Sequence, residues 1–299
     1  MIQITRPPPI WRLLFTALSS CVSAILPAEG EETEKASPDK SGYHLFNPTP
    51  QGWMRKLSAD RPDKTDSAYT VDAGHFQLEM DFANWTYDRY NPEHQDQRLT
   101  AYEAAPFNLK VGLLNSLDFQ ITFTAYRWER AEDRIAGTVE KRSGFGDVTP
   151  RVKYNVIGND GGPFALALMP FVKLPASRRP LGNGAVEGGL KIPYTFELPG
   201  WDLSLQTEVD FNRDEVGPGY HTHWINSVSL GRAIAGKLSG YVEFYSNVST
   251  ERGSDWIGTF DTWLTYQINE SWRLDGGVYI GLTRAAEDWH PFVGMTWRY

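Results

Sequence analysis

Beyond its first 28 residues the chain lacks any apolar run near the ~18–20 residues that a membrane-spanning helix needs, which excludes a helical transporter. It has one cysteine, Cys21, and that residue lies inside the N-terminal apolar stretch, so no disulfide framework is available. It lacks a basic excess: the formal net charge is −8, which argues against a nucleic-acid partner. The GxSxG elbow, the phosphate-binding Walker loop, paired CxxC motifs and HExxH are all missing. What is present is a chain of 299 residues that is polar on average yet rich in rings, with 11 Trp, 14 Tyr and 15 Phe, and with 27 Gly. A transmembrane barrel has this composition, because only alternate residues of each strand must be apolar.

Arg6 and Arg12 precede a short apolar stretch from Leu13 to Leu26, followed by small residues and an acidic run at 29–32. This is the pattern of a signal peptide over residues 1–28, cleaved after Ala24 or Ala28, and it implies export by a Sec-type route. Leu18-Ser19-Ser20-Cys21 also resembles a lipobox, but the apolar run continues past Cys21, which favours ordinary cleavage. Residues 29–73 are rich in Glu, Lys, Ser, Asp and Pro in their first part and hold Pro48, Pro50 and Pro62 in their second. They read as an irregular periplasmic leader, disordered at first and then able to fold into the lumen as a plug.

From Gly74 to Tyr299 the character changes. Segments of ~10–14 residues alternate apolar and polar, as a sheet with two unlike faces requires. Over 201–213, Trp201, Leu203, Leu205, Val209 and Phe211 share one parity, and Asp202, Ser204, Gln206, Glu208 and Asp210 the other. Twelve such segments occur: 74–87, 103–114, 117–129, 145–158, 163–174, 185–198, 201–213, 220–234, 237–249, 255–268, 271–283 and 289–299. Long and short connections alternate between them. Outer-membrane barrels do this, with short periplasmic turns and longer outer loops. The expected fold is therefore all-β, a 12-stranded antiparallel transmembrane β-barrel of the Gram-negative outer membrane. Trp201, Trp272, Trp297 and Tyr299 fall at the expected periplasmic strand ends, and Trp224, Trp256 and Trp289 at the opposite ends, as two aromatic belts against lipid require. An aromatic at the end of an amphipathic last strand resembles the signal read by the barrel assembly machinery, with Tyr299 where Phe is usual.

The inward parity carries both charges. Glu79, Asp81, Lys110, Arg151, Lys153, Lys191, Glu208, Asp210, Glu243, Asp261 and Arg273 are the candidate lumen-lining, solute-contacting residues. A small barrel must also fill its interior with side chains, so the same residues serve as structural filling through cross-strand ion pairs. In the leader, Asp60, Arg61 and Asp63 are the candidate plug residues, with Arg61 or Asp63 expected to pair with Glu197, Asp202 or Arg273 near the periplasmic mouth. His221 and His223 share one side of their strand and have Asp214 and Glu215 nearby, but no spacing locks a ligand geometry, and two solvated histidines near a loop is the favoured reading. A phospholipase-like arrangement of His221, His223, Asn226 and Ser227 fails on distance: His223 and Ser227 stand four apart on one strand, ~13 Å in all. No catalytic residues, metal or cofactor are expected.

One resemblance adds to this. The run Asp60-Arg61-Pro62-Asp63, then Ser67, Thr70-Val71 and Gly74-His75-Phe76-Gln77-Leu78-Glu79, together with Gly144-Phe145-Gly146-Asp147-Val148 and the following Arg151, Lys153 and Tyr154, resembles the MetA-like outer-membrane family named for the meta pathway of phenol degradation. The resemblance covers roughly residues 44–299. It implies an outer-membrane barrel with a transport role, it carries no defined substrate, and it brings no catalytic residues. Together with the charge-lined interior it leads to passive or facilitated passage of a small, aromatic or otherwise hydrophobic solute as the expected function. The alternatives are a structural or partner-binding barrel and, behind it, a lipid-modifying enzyme.

Overall fold

A computed structural model of the protein describes residues 38–92, 96–177 and 181–299. The signal peptide expected over 1–28, Cys21 and the first part of the leader lie outside the described residues.

The regular structure of the described residues is almost wholly strand. Its strands are β1 (Phe76–Asp88), β2 (Arg98–Leu114), β3 (Leu117–Asp133), β4 (Thr138–Gly144), β5 (Val148–Ile157), β6 (Phe164–Lys173), β7 (Glu187–Leu198), β8 (Trp201–Arg213), β9 (Tyr220–Ala235), β10 (Leu238–Ser249), β11 (Ile257–Asn269), β12 (Trp272–Gly281) and β13 (Trp289–Arg298). Each pairs antiparallel with its neighbours in sequence except that β5 pairs with β3 instead of β4, and β1 pairs with β13 from Gln77↔Arg298 to Tyr87↔Trp289. That last pairing closes the sheet. β3 bonds β5 through its first half, Leu117↔Tyr154 to Phe123↔Val148, and β4 through its second, Arg127↔Gly144 to Asp133↔Thr138. The ring is thus a closed barrel of 12 antiparallel strands, with β4 outside it. Closure leaves no unpaired edge, which matters where no water can satisfy one.

Connections β2–β3, β7–β8, β9–β10 and β11–β12 are two residues each, and β5–β6 is slightly longer. Gly200 and Gly236 sit in two of these turns with φ of 75° and 56°, backbone that glycine adopts without strain. At the other rim the connections are longer. There β3 and β4 form a hairpin projecting beyond the ring, in the stretch 130–144 expected to be loop. The hairpin carries charge on both faces and is laced by ion pairs, Arg142–Glu140 at 2.5 Å and Arg130–Glu132 at 2.7 Å among them. Past the lipid a strand need not alternate apolar with polar, so the periodicity that marks the other strands is absent.

The burial is inverted relative to a soluble domain. Phe82, Leu109, Tyr154, Phe211, Val242, Phe260, Leu264 and Val293 are exposed on the outer wall, while Glu79, Lys110, Asp118, Lys153, Glu243 and Asp261 are buried. Trp201 and Tyr299 are exposed at the turn-side rim, and Trp224, Trp256 and Trp289 at the loop-side rim.

Candidate functional site

The interior is occupied by the leader. Residues 54–73 have no regular structure, so their backbone donors need partners from elsewhere. The wall supplies them. The amides of Asp60, Lys64, Asp66, Thr70 and Val71 donate to side chains of Glu79, Glu243, Gln206, Asn159 and Asp118. Ala68 packs on Ala165 and Ala167 of β6, where small side chains leave room for the leader, and the Asn155 amide donates to the Ala68 carbonyl at 2.8 Å. Gly112 is needed for the same reason: a Cβ there would run into the carbonyls of Val71 and Asp72.

Charge pairing follows the path of the leader. The Asp60 carboxylate meets Lys153 at 2.5 Å, Lys110 at 2.6 Å and Arg151 at 3.7 Å, and Lys110 also reaches Glu79 at 2.5 Å. Arg61 grips Asp275 at 2.5 Å and also bonds Asp81, while the Arg273 guanidinium donates to the Arg61 carbonyl at 2.9 Å. Lys64 sets its ammonium 3.2 Å from Asp261 and over the rings of Tyr245 and Tyr279, 4.6 Å from each centroid. Asp66 takes Lys191 at 2.9 Å and Arg151 at 3.5 Å, and Lys191 continues to Glu208 at 3.5 Å. Nearer the turn-side rim, Asp72 faces Arg55, Lys40 and Arg298.

The sequence expectation for Arg61 is corrected in its partners. Arg61 meets Asp275 and Asp81 rather than Glu197 or Asp202; Glu197 instead accepts from the Tyr69 hydroxyl at 3.3 Å. Arg61 stands deeper in the barrel than the turn-side mouth, because the leader climbs to Pro62–Lys64 before turning back. Above it lies a cavity of about 670 Å³ on the loop side. Asp60, Arg61, Asp63 and Lys64 form its floor, and Glu79, Asp81, Arg151, Lys191, Glu208 and Asp210 are among its walls. Lys110, Lys153, Glu243 and Asp261 do not line this cavity, and are held below or beside it in contact with the leader.

A family model described as "Putative MetA-pathway of phenol degradation" matches residues 59–299. The chain belongs to this family. The match begins at the Asp60 segment, so the part of the leader from Asp60 to Ala73 is within the family region, while Lys40 and Arg55, which also reach the barrel, precede it. No curated protein matches the chain. Among solved structures, an outer membrane channel from Pseudomonas putida F1 is 12% identical, covering 84% of this chain and 99% of that one, with a TM-score of 0.58. The NanC porin is 9% identical over 74% of this chain and 98% of its own, with a TM-score of 0.47. At such identity the first likeness shows the fold alone, and that fold is the outer-membrane barrel.

The family region holds further polar residues that the reading of charges passed over: Thr65, Asp66, Gln206, Asn155 and Asn159. Those on strands share the inward parity with the charged set, so parity alone would have found them. At the loop-side mouth, the expectation of two solvated histidines is corrected. His221 is mostly buried and bonded to Asp214, and His223 is bonded to Asn247. Ser227 lies deeper, 2.7 Å from the Thr65 hydroxyl, and is not brought to either histidine.

Proposed function

We propose that the protein is an outer-membrane channel for small solutes, in which residues 54–73 close the periplasmic half of the lumen and the cavity above them receives the solute. The observation that carries this reading is the change in the lumen along its axis. Below Pro62 the wall is saturated by leader contacts; above it the charged walls enclose open space. A cavity of about 670 Å³ has room for one single-ring molecule with its hydration. The lining sets Arg61, Lys64, Arg151 and Lys191 among carboxylates that outnumber them and places the rings of Tyr245 and Tyr279 beside Lys64, which suits a single ring bearing a polar, hydrogen-bonding group. The family description points to the same class. Solute contact by Glu79, Asp81, Arg151, Lys191, Glu208 and Asp210 is part of this proposal, and so is outer-membrane localisation in contact with lipid.

Ion conductance in planar bilayers tests it. The full chain should pass little current, and a variant lacking residues 43–65 should pass several-fold more. Equal conductance would reduce the leader to a tether. A second reading, a partner-binding barrel, is favoured by the projecting β3–β4 hairpin, where Ile135 is fully exposed.

A further inference from the structure

The floor of the cavity holds a cage that the chain fills with its own ammonium group. The pairing of β10, β11 and β12 sets Glu243 opposite Asp261, Tyr245 opposite Thr259, and Tyr279 opposite Asp261 on its other side. Glu243, Thr259 and Asp261 are buried, and Tyr245 and Tyr279 line the cavity. Lys64 enters this group from the leader. Its ammonium donates to Thr259 Oγ1 at 2.8 Å, lies 3.2 Å from Asp261 Oδ2, and stands 4.6 Å from the centroid of each tyrosine ring. Its backbone amide donates to Glu243 at 2.9 Å, and the Thr65 hydroxyl donates to the other Glu243 oxygen at 2.6 Å. The Tyr279 hydroxyl donates to the Pro62 carbonyl.

Carboxylates directly opposite one another on neighbouring strands repel. Among the described residues no cation other than Lys64 comes within 4 Å of Asp261 or Glu243. Asp261 is 0% exposed, so without Lys64 its charge is buried and unpaired, a costly state. The wall therefore calls for a cation at this point whether or not the leader is seated. The place is also within reach: the Lys64 side chain is 27% exposed and lines the cavity together with the two rings. We infer that Tyr245, Thr259, Asp261 and Tyr279 form a binding site for a solute bearing a primary ammonium group, and that Lys64 occupies it as a tethered stand-in until such a solute displaces it. The inference rests on the channel reading for the route by which the solute arrives, and it names the polar group that the cavity receives.

Two features set this class. Two ring faces against one nitrogen favour a cation over a neutral group. Thr259 Oγ1 accepts from the nitrogen while its own hydroxyl donates to Asp261 at 3.0 Å, so the ligand must carry N–H donors, which a quaternary ammonium lacks. A ring joined to the nitrogen by a short link has the open cavity above the cage to lie in. Displacing the Lys64 ammonium frees one of the leader's holds on the wall, so the solute that fills the cage also loosens the plug.

The test is calorimetric titration of the detergent-folded full chain with benzylammonium chloride, against benzyl alcohol and tetramethylammonium chloride. A ligand tied to the chain competes at an effective concentration of ~1 mM or more, so the native chain should bind weakly, and Lys64→Ala, which empties the cage, should bind benzylammonium ~10-fold tighter or better. Neither control should bind. Adding Asp261→Asn to Lys64→Ala should remove the gain. Benzylammonium should also raise the temperature at which Lys64→Ala loses its heat-modifiable gel shift. If Lys64→Ala does not fold, the native chain carries the test: proteolysis of its leader should be faster in benzylammonium than in benzyl alcohol at the same concentration, and equal rates would overturn the inference. So would unimproved binding by folded Lys64→Ala, equal binding of benzyl alcohol, or a gain that survives Asp261→Asn. Conductance indifferent to removal of residues 43–65 would instead overturn the channel reading and leave the cage standing.

Discussion

Asp60 holds three cations of the barrel wall within 4 Å. Each buried ion gives up several kcal/mol of hydration, and the cluster is tolerable only because every member has an opposite partner. Asp60→Asn removes the shared anion and leaves Lys110, Lys153 and Arg151 facing one another. The expected cost is ~3–5 kcal/mol, taken from the seating of the leader rather than from the barrel ladder. Limited proteolysis should then cut the leader faster than in the native chain, and bilayer conductance should rise. Unchanged protection would mean that the leader is held by its backbone bonds alone.

At the scale of elements the question is why the leader is ordered at all. Fixing backbone costs ~1–2 kcal/mol per residue, and residues 54–73 have no helix or strand to repay it. The wall repays it instead, through side chains that accept leader amides and pair leader charges. The lower end is held in the same way. Asp160, in the β5–β6 turn, accepts from Lys40 at 2.7 Å, Arg55 at 2.8 Å and the Asn115 amide. Burial pushes its carboxyl up, but the Lys40 and Asn115 hydrogen bonds and the Arg55 charge outweigh that and hold it below the ordinary carboxylate value. A lowered folded pKa stabilises above the unfolded value of ~3.9 and loses that contribution as pH falls through it. Hydrogen exchange of residues 40–56 should therefore accelerate as the pH drops below ~4, relative to β-strand amides measured at the same pH. A constant ratio would show that Asp160 does not anchor this end.

For the whole molecule, a closed ladder with an apolar exterior should persist in detergent until heated. Unboiled protein should migrate differently from boiled protein on gels and fractionate with the outer membrane; recovery in the soluble periplasmic fraction would contradict the reading. The barrel was legible in the sequence because a wall between lipid and lumen imposes a period of two on every spanning strand, and the alternation of long and short connections separated a turn-side rim from a loop-side rim. The β3–β4 hairpin was illegible because it stands outside lipid and escapes that period. Parity likewise assigned the inward charges, from Glu79 to Arg273, since it is a local property. Their partners are another matter: Arg61 with Asp275 is a contact across 214 residues, and Glu251 beside His221 joins two loops. No period or motif encodes such pairs. Sequence alone determined which face each strand residue takes, because that depends only on its neighbours in the chain. Which leader residue meets which wall residue, and which loops converge at the mouth, was decided only when ring closure brought distant strands around a shared lumen.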